Sequence, residues 1–311
     1  MLKIGLVGSA YLIEKHIDSV INSIDFQLVG YYSVNTNSGS KLPTSIVNQY
    51  EFYDLSELLH QTQLIYLFSL SDDVRMPITI QVIKSANHLL IDKSNIKSTI
   101  EAKQLLDLAE EAGVITQMSN ISTLSPLYKA SKEDLMQPIL IESVTNIHYK
   151  NKSAYLLNDL LCDELSMIIN TVNANLKKVT TIGVDVSNRF PEVINALLEF
   201  DNGCNVSITI NTVADDDKKT IIFYTAGATT TVDFLDNKIK KVYALDNQKD
   251  FSEKEVKIMD NSQLNIELTS ISESIKQQKS LSTDLHDMLK IHEILNKISE
   301  KLKINLSLVQ D

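Results

Sequence analysis

The chain has 311 residues, of which 43% are apolar and 22% charged, with no tryptophan, and it is long enough for two domains that each bury a core. A net charge of −11 argues against nucleic acid or an anionic membrane as a main partner. No apolar run approaches the roughly 18 residues a membrane helix needs, so a soluble, cytoplasmic protein is expected. The chain opens directly on a strand with no charged stretch before it, so a signal peptide is not expected.

In chain order, 2–7 reads as a buried strand and 11–24 as a helix with one apolar stripe. FQLVGYY at 26–32 is a second strand, followed by a polar loop at 35–40. A short helix at 55–60 leads into LIYLFSL (64–70), a strand with almost no alternation. Helices at 76–85 and 99–112 then alternate with strands at 88–91 and 114–118. Near-continuous apolar strands between amphipathic helices indicate a parallel sheet covered on both faces, a Rossmann-like doubly wound α/β domain. Beyond residue 120 the pattern changes. Helices are expected at 126–136 and 156–172, and longer alternating strands at 139–149, 179–186, 192–200, 205–212, 220–225, 229–234 and 238–244. Asp201-Asn202-Gly203 between two of them is a hairpin turn signal. An irregular charged segment at 246–260 and closing helices at 264–278 and 284–302 complete an α+β domain with a mostly antiparallel sheet. The expected domains are 1–119, dinucleotide-binding, and 120–311, for substrate and dimerisation.

KIGLVGSAYLIEKH (3–16) has the layout of a strand running through a phosphate-cradling turn into a helix. The three glycine positions of G-x-G-x-x-G read Gly8, Ala10 and Ile13. Together with HLLIDKSNIKSTIEAKQLLDLAEEAGV (88–114) and INALLEFDNGCNVSITI (194–210), the chain resembles the glucose–fructose oxidoreductase / inositol dehydrogenase / MocA (Gfo/Idh/MocA) family end to end, as a divergent member. The resemblance implies NAD or NADP as cofactor, a sugar or sugar-nucleotide-like substrate and a homodimer through the second sheet. It assigns cofactor contacts to Gly8, Ser9, Ala10, Tyr11, Leu12, Ser33, Ser71, Asp92 and Lys93. Ala10 puts a Cβ where backbone approaches a pyrophosphate, and Ile13 stands where a small residue lets helix pack on strand. The helix N-terminus still attracts an anion. At the ribose position the family's acid reads Ser33, with Lys41 nearby. The Thr-Pro-x…His segment reads Leu70-Ser71-Asp72…Arg75, and Glu-Lys-Pro reads Asp92-Lys93-Ser94. The substrate loop reads SNISTLSP (119–126), keeping only the proline.

The family's catalytic D-x-x-x-H aligns with Asp159 and Asp163, so the histidine is an aspartate here. A histidine, with pKa about 6.5, takes and returns a hydroxyl proton near neutral pH, whereas an Asp at about 3.9 is already ionised. Residues four apart share a helix face, and like charges in a cleft raise one pKa. Lys93, Asp159 and Asp163 are therefore the candidate catalytic cluster, with one carboxylate as base and Lys93 polarising the carbonyl. The bland alternatives are a solvated helix face for Asp159, Asp163 and Glu164, and a surface position for Lys93. No histidine follows at ligand spacing to make a metal site. His16 reads as packed or capping, Cys162 as core, and Cys204 pairs with it at no redox spacing. No G-x-S-x-G elbow supports a serine nucleophile.

Changes at the phosphate loop, ribose position, Glu-Lys-Pro, catalytic histidine and substrate loop coincide along one cleft. The reading is an oxidoreductase homologue with eroded motifs and weak or no hydride transfer. The alternatives are a fully active oxidoreductase using Lys93 with Asp159 and Asp163, or a non-catalytic ligand-binding or scaffold protein.

Overall fold

Five consecutive buried residues close the first strand, β1 (Leu2–Gly8), a burial pattern that only a central strand covered on both faces can have. It pairs in parallel with β2 (Phe26–Ser33) on one side and β4 (Leu64–Leu67) on the other. With β3 (Glu51–Phe52), β5 (His88–Asp92) and β6 (Thr116–Ser119), the sheet order is β3-β2-β1-β4-β5-β6, all parallel. The chain winds outward from β1 to β3 and then returns to β4 on the other side. The strand order therefore reverses between β1 and β4, and the crevice beyond their carboxyl ends is where such sheets bind ligands.

The computed structural model describes residues 1–34, 49–132, 135, 137–148, 154–186, 191–244, 251–257 and 263–309. These form two compact units, Met1–Leu124 with Asn261–Leu289 and Ser125–Asp260 with Lys290–Asp311. The sequence reading drew one boundary after residue 119; in the structure Asn261–Leu289 joins the first unit. The physical reason is a shared core. Leu264, Leu268 and Ile271 of α7 (Gln263–Lys276) pack with Ile13, Ile17 and Val20 of α1 (Ala10–Ile21) and with Tyr66 and Phe68. The remaining helices of this unit are α2 (Leu55–Gln61), α3 (Arg75–Lys84) and α4 (Thr99–Ala112). Ser98 caps α4 by accepting from Glu101 N, and Gly113 ends it at φ +64°. The polar loop at 35–40 and Lys41 lie outside the described residues.

The second unit is built on an eight-stranded sheet, in the order β14-β13-β12-β11-β7-β10-β9-β8. Its strands are β7 (Leu140–His148), β8 (Leu176–Val184), β9 (Val193–Phe200), β10 (Asn205–Asn211), β11 (Val213–Thr225), β12 (Ala228–Asp233), β13 (Lys238–Ala244) and β14 (Phe251–Lys257). Only β7 and β10 pair in parallel; the other neighbours are antiparallel. The Asp201–Gly203 turn forms as read, with Gly203 at φ +89° donating to Phe200 O. Helix α6 (Ala154–Val172) lays Leu157, Leu161, Leu165 and Ile168 inward, a spacing of three and four. Helices α5 (Pro126–Lys132) and α8 (Leu285–Val309) accompany it, the first five residues of α8 falling in the first unit.

Three expectations change. The segment read as irregular at 246–260 contains the edge strand β14, whose Lys and Glu side chains pair across to β13 through Lys238–Glu255 and Lys240–Glu253; the alternating charges hid it. β11 starts seven residues early, because Asp215–Asp217 sit in a register irregularity opposite β7. β3 is too short to carry a pattern. Since Ile13 is 0% exposed at the centre of the first core, Ile13→Ala should destabilise the protein by about 2–5 kcal/mol in urea titrations.

Candidate functional site

The turn after β1 keeps its shape through two contacts. Ser9 caps α1 by accepting from Leu12 N at 3.4 Å, and Val34 N donates to Gly8 O at 2.9 Å. Ile13 points away from the turn and into the core beneath the helix. Ala10 is buried, whereas Tyr11 projects into solvent. A Cβ on Gly8 would stand 2.9 Å from Phe68 Cβ, so this glycine is required by the residue that follows the neighbouring strand β4. Phe68 in turn stacks on His16, rings 5.1 Å apart, and touches Tyr66 at 4.2 Å. His16 is therefore a packed residue, and burial lowers its pKa. Ser33, at the carboxyl end of β2, is half-buried.

The ends of β4 and β5 are tied by hydrogen bonds. Asp92 caps the 3-10 turn Lys93–Asn95, its Oδ1 accepting from Ser94 N (2.9 Å) and Ser94 Oγ (2.6 Å). With its one proton given to Asp92, Ser94 Oγ accepts from Ser69 Oγ at 2.8 Å. Asn95 donates to Phe68 O and accepts from Leu70 N, stitching the two loops together. Lys93 is 6% exposed, so the surface-lysine alternative does not hold. Ser71, exposed, accepts from Arg75 N through its carbonyl and starts α3.

Arg75, which the resemblance sets at the family's histidine position, acts as a fastener. It is 7% exposed and donates two 2.7 Å bonds to Glu101, one of 2.8 Å to Asn95 O and one of 3.0 Å to Asp72. Bonding to Glu101 raises its pKa further; Lys97 and then Arg75 hold Asp72 below the usual carboxylate range. Glu267 of α7 is a further buried charge of this unit, 3% exposed. It accepts from Tyr66 OH at 3.1 Å and Asn120 N at 2.9 Å, while its carbonyl accepts from Gln117 Nε2, and it pins the start of the 119–126 loop. Burial first, and Glu267 second, push the Tyr66 phenol pKa up.

Asp159 and Asp163 belong to the second unit, Lys93 to the first. On α6, Asp159 is exposed and Asp163 half-buried, so the solvated-face alternative holds for the first and not for their neighbour Glu164, at 2% exposure. The reason lies in the sheet beneath. Register sets Ser143 opposite Ile221 and Thr145 opposite Lys219 on the inner face. Both hydroxyls donate to Glu164, Thr145 at 2.8 Å. Lys219 Nζ lies 4.0 Å from Asp163 Oδ2 and 5.2 Å from the Phe234 ring centroid. Desolvation raises the Glu164 pKa against the opposing pull of Lys219 and the hydroxyls. The sequence reading missed this cluster. Its signal was Ile141-Glu142-Ser143-Val144-Thr145, a strand placing two hydroxyls on the face that must be buried. Among the described residues no group of three or more His, Cys, Asp or Glu is arranged to hold a metal ion, and no helix is long and apolar enough to cross a membrane.

Residues 2–120 match the family model GFO_IDH_MocA, the oxidoreductase family with an NAD-binding Rossmann fold. The resemblance read from the sequence is thereby shown for that stretch. The fold of the whole chain is similar to UDP-N-acetylglucosamine 3-dehydrogenase GnnA from Acidithiobacillus ferrooxidans, with TM-score 0.85, 15% identity and 98% of each chain covered. It is similar to an NAD binding oxidoreductase from Klebsiella pneumoniae, with TM-score 0.84, 15% identity, and 97% of this chain and 96% of that one covered. The dehydrogenase MviM from Clostridium difficile superposes at TM-score 0.80 and 14% identity, over 97% of this chain and 99% of that one. No curated protein sequence matches. The Rossmann sheet followed by a mostly antiparallel sheet is thus the architecture of this group of dehydrogenases.

Glu164 binds its proton more tightly in the folded than in the unfolded chain, so its contribution to stability is full below about pH 4.3 and drains as pH rises above it. Glu164→Gln keeps a hydrogen-bonding group without the charge. Urea midpoints from pH 4 to 8 should fall more steeply with pH in the parent than in this variant.

Proposed function

We propose that this protein is a homologue of the NAD(P)-dependent sugar oxidoreductases that retains their fold and a small-molecule cleft but performs hydride transfer weakly or not at all. The observation that carries the reading is the surroundings of Asp163. Where the resembled family has a histidine, this chain has a carboxylate beside Lys219 and the buried Glu164. An alcohol releases hydride only as its proton leaves to a suitable acceptor, and imidazole is matched to that task near neutral pH. A carboxylate is not the group suited to that exchange.

The phosphate loop supports the same reading. The space beside Gly8 is taken by Phe68, the Leu12 N–H is engaged by Ser9, and Ser33 offers no carboxylate to ribose hydroxyls. These residues do not fit a tightly held dinucleotide. The fold likeness to a UDP-N-acetylglucosamine 3-dehydrogenase favours a sugar nucleotide as the small molecule. The second reading, an active enzyme using Lys93 with Asp159 and Asp163, draws on the burial of Lys93 at a strand end facing the crevice. A non-catalytic ligand-binding or scaffold role is the limit of the first reading.

Dimerisation through the second sheet is part of the proposal. Ile182, Val184 and Leu197 are exposed on neighbouring strands, and an apolar patch of this kind favours cover by a like surface.

Two measurements test these points. A ligand at a hundred times its Kd stabilises the fold by about 2.7 kcal/mol; millimolar NAD(H) or NADP(H) should stabilise this protein by clearly less, and turnover of UDP-sugars should stay below about 1 s⁻¹. Strong stabilisation together with ordinary turnover would sink the reading. In light scattering the protein should be a dimer, and Leu197→Lys should shift it toward monomer.

A further inference from the structure

Strand β8 ends the second sheet among the described residues, and α8 runs beside it, leaving a groove of about 440 Å³ between them. One wall is six consecutive residues of β8, 176–181, and the other is Lys297, Glu300 and Lys301 of α8. We infer that this groove docks an extended acidic peptide segment, which adds to the sheet as a further strand at the β8 edge.

Shape is the first argument. Six strand residues span about 20 Å, so the groove is long and follows a single strand. A strand with a neighbour on one side only presents alternate N–H and C=O groups outward, and these are the groups an incoming strand pairs with. Charge is the second. The chain as a whole carries −11, yet the groove collects Lys177, Lys178, Lys297 and Lys301 against Glu300 alone. Adjacent strand residues normally face opposite ways. Here the register slips between Leu176 and Lys178, making Lys177 the extra residue of a bulge and turning it toward the same groove as its neighbour. Lys297 and Lys301 are four apart, on one face of the helix. Lys178 also reaches Glu199 across the strands at 3.1 Å.

Lysines on an edge strand commonly serve to prevent pairing. That purpose accounts for Lys177 and Lys178 but not for two more on a facing helix, which charge the opposite wall. The other edge, β14, is blunted by paired Lys and Glu side chains. A second copy of this chain is disfavoured as occupant, because edge-to-edge pairing of two β8 strands would bring four lysines together. An acidic segment satisfies both the backbone and the charge, and the inference stands independently of any oxidoreductase activity.

The test is fluorescence anisotropy of the full chain with a labelled peptide of alternating Glu and Val, at about 50 mM salt to limit screening. The expected result is saturable binding that weakens roughly tenfold or more in Lys297→Glu/Lys301→Glu. A peptide with proline at each Val position, lacking those N–H groups, should bind at least roughly tenfold more weakly than the parent peptide. If the helix variant misfolds by circular dichroism, Lys177→Gln/Lys178→Gln tests the opposite wall. No binding, equal binding by the proline peptide, or indifference to the lysine changes would overturn the inference. Displacement by inorganic pyrophosphate, beyond that by sodium chloride of equal ionic strength, would also overturn it and mark a small-anion site.

Discussion

Arg75 cannot shed its charge, and at 7% exposure it cannot leave that charge to water. Its side chain must therefore find partners, and Glu101, Asp72 and the Asn95 carbonyl meet four of its five N–H donors. These partners come from α4, from the loop after β4 and from the turn after β5. One buried guanidinium thus holds together the two loops that frame one side of the crevice at the switch point. Asn95 completes the lock by bonding Phe68 O and Leu70 N. Removing Glu101 would leave the buried Arg75 charge with only the exposed Asp72 as counter-ion, a strongly destabilising change.

The same constraint organises the second unit around Glu164. A carboxyl sealed between helix and sheet needs donors, and Ser143 and Thr145 stand at alternate positions of β7 to supply them. This anchors α6 on the sheet in one register and settles which way its neighbours face. Asp163 is half-buried beside Lys219, while Asp159, one turn earlier, remains in water. In the first unit Glu267 does comparable work by meeting Tyr66 OH and Asn120 N from a helix far along the chain. Each unit thus has its own buried polar fasteners.

The phosphate loop shows how a motif and its setting part company. Its three glycine positions have separate fates. Gly8 is kept for Phe68, Ala10 is buried in the first turn of α1, and Ile13 is a core residue. Ile13 reads from the sequence as an intrusion where a small residue belongs, yet it points away from the crevice and is held by Ile4, Leu6 and the α7 leucines. What keeps position 8 a glycine is Phe68, which no glycine motif includes. The loop is sound as a strand-to-helix turn, packed against the aromatic beside it.

Local pattern determined much of this protein by itself. Continuous apolar strands, helix stripes and the Asp201–Gly203 turn each act over a few residues, and so the two sheet types were legible in order. The likeness of 88–114 and 194–210 to a dehydrogenase family was legible for the same reason. Long-range pairing was not. That α7 returns to the first core, that a charged stretch becomes β14, that Lys93 and Glu164 are buried, and that four lysines line one groove depend on residues distant in sequence. Charge alone reads as solvent-facing until a register or a neighbouring helix supplies its partner, and only the tertiary structure decides which charges have one.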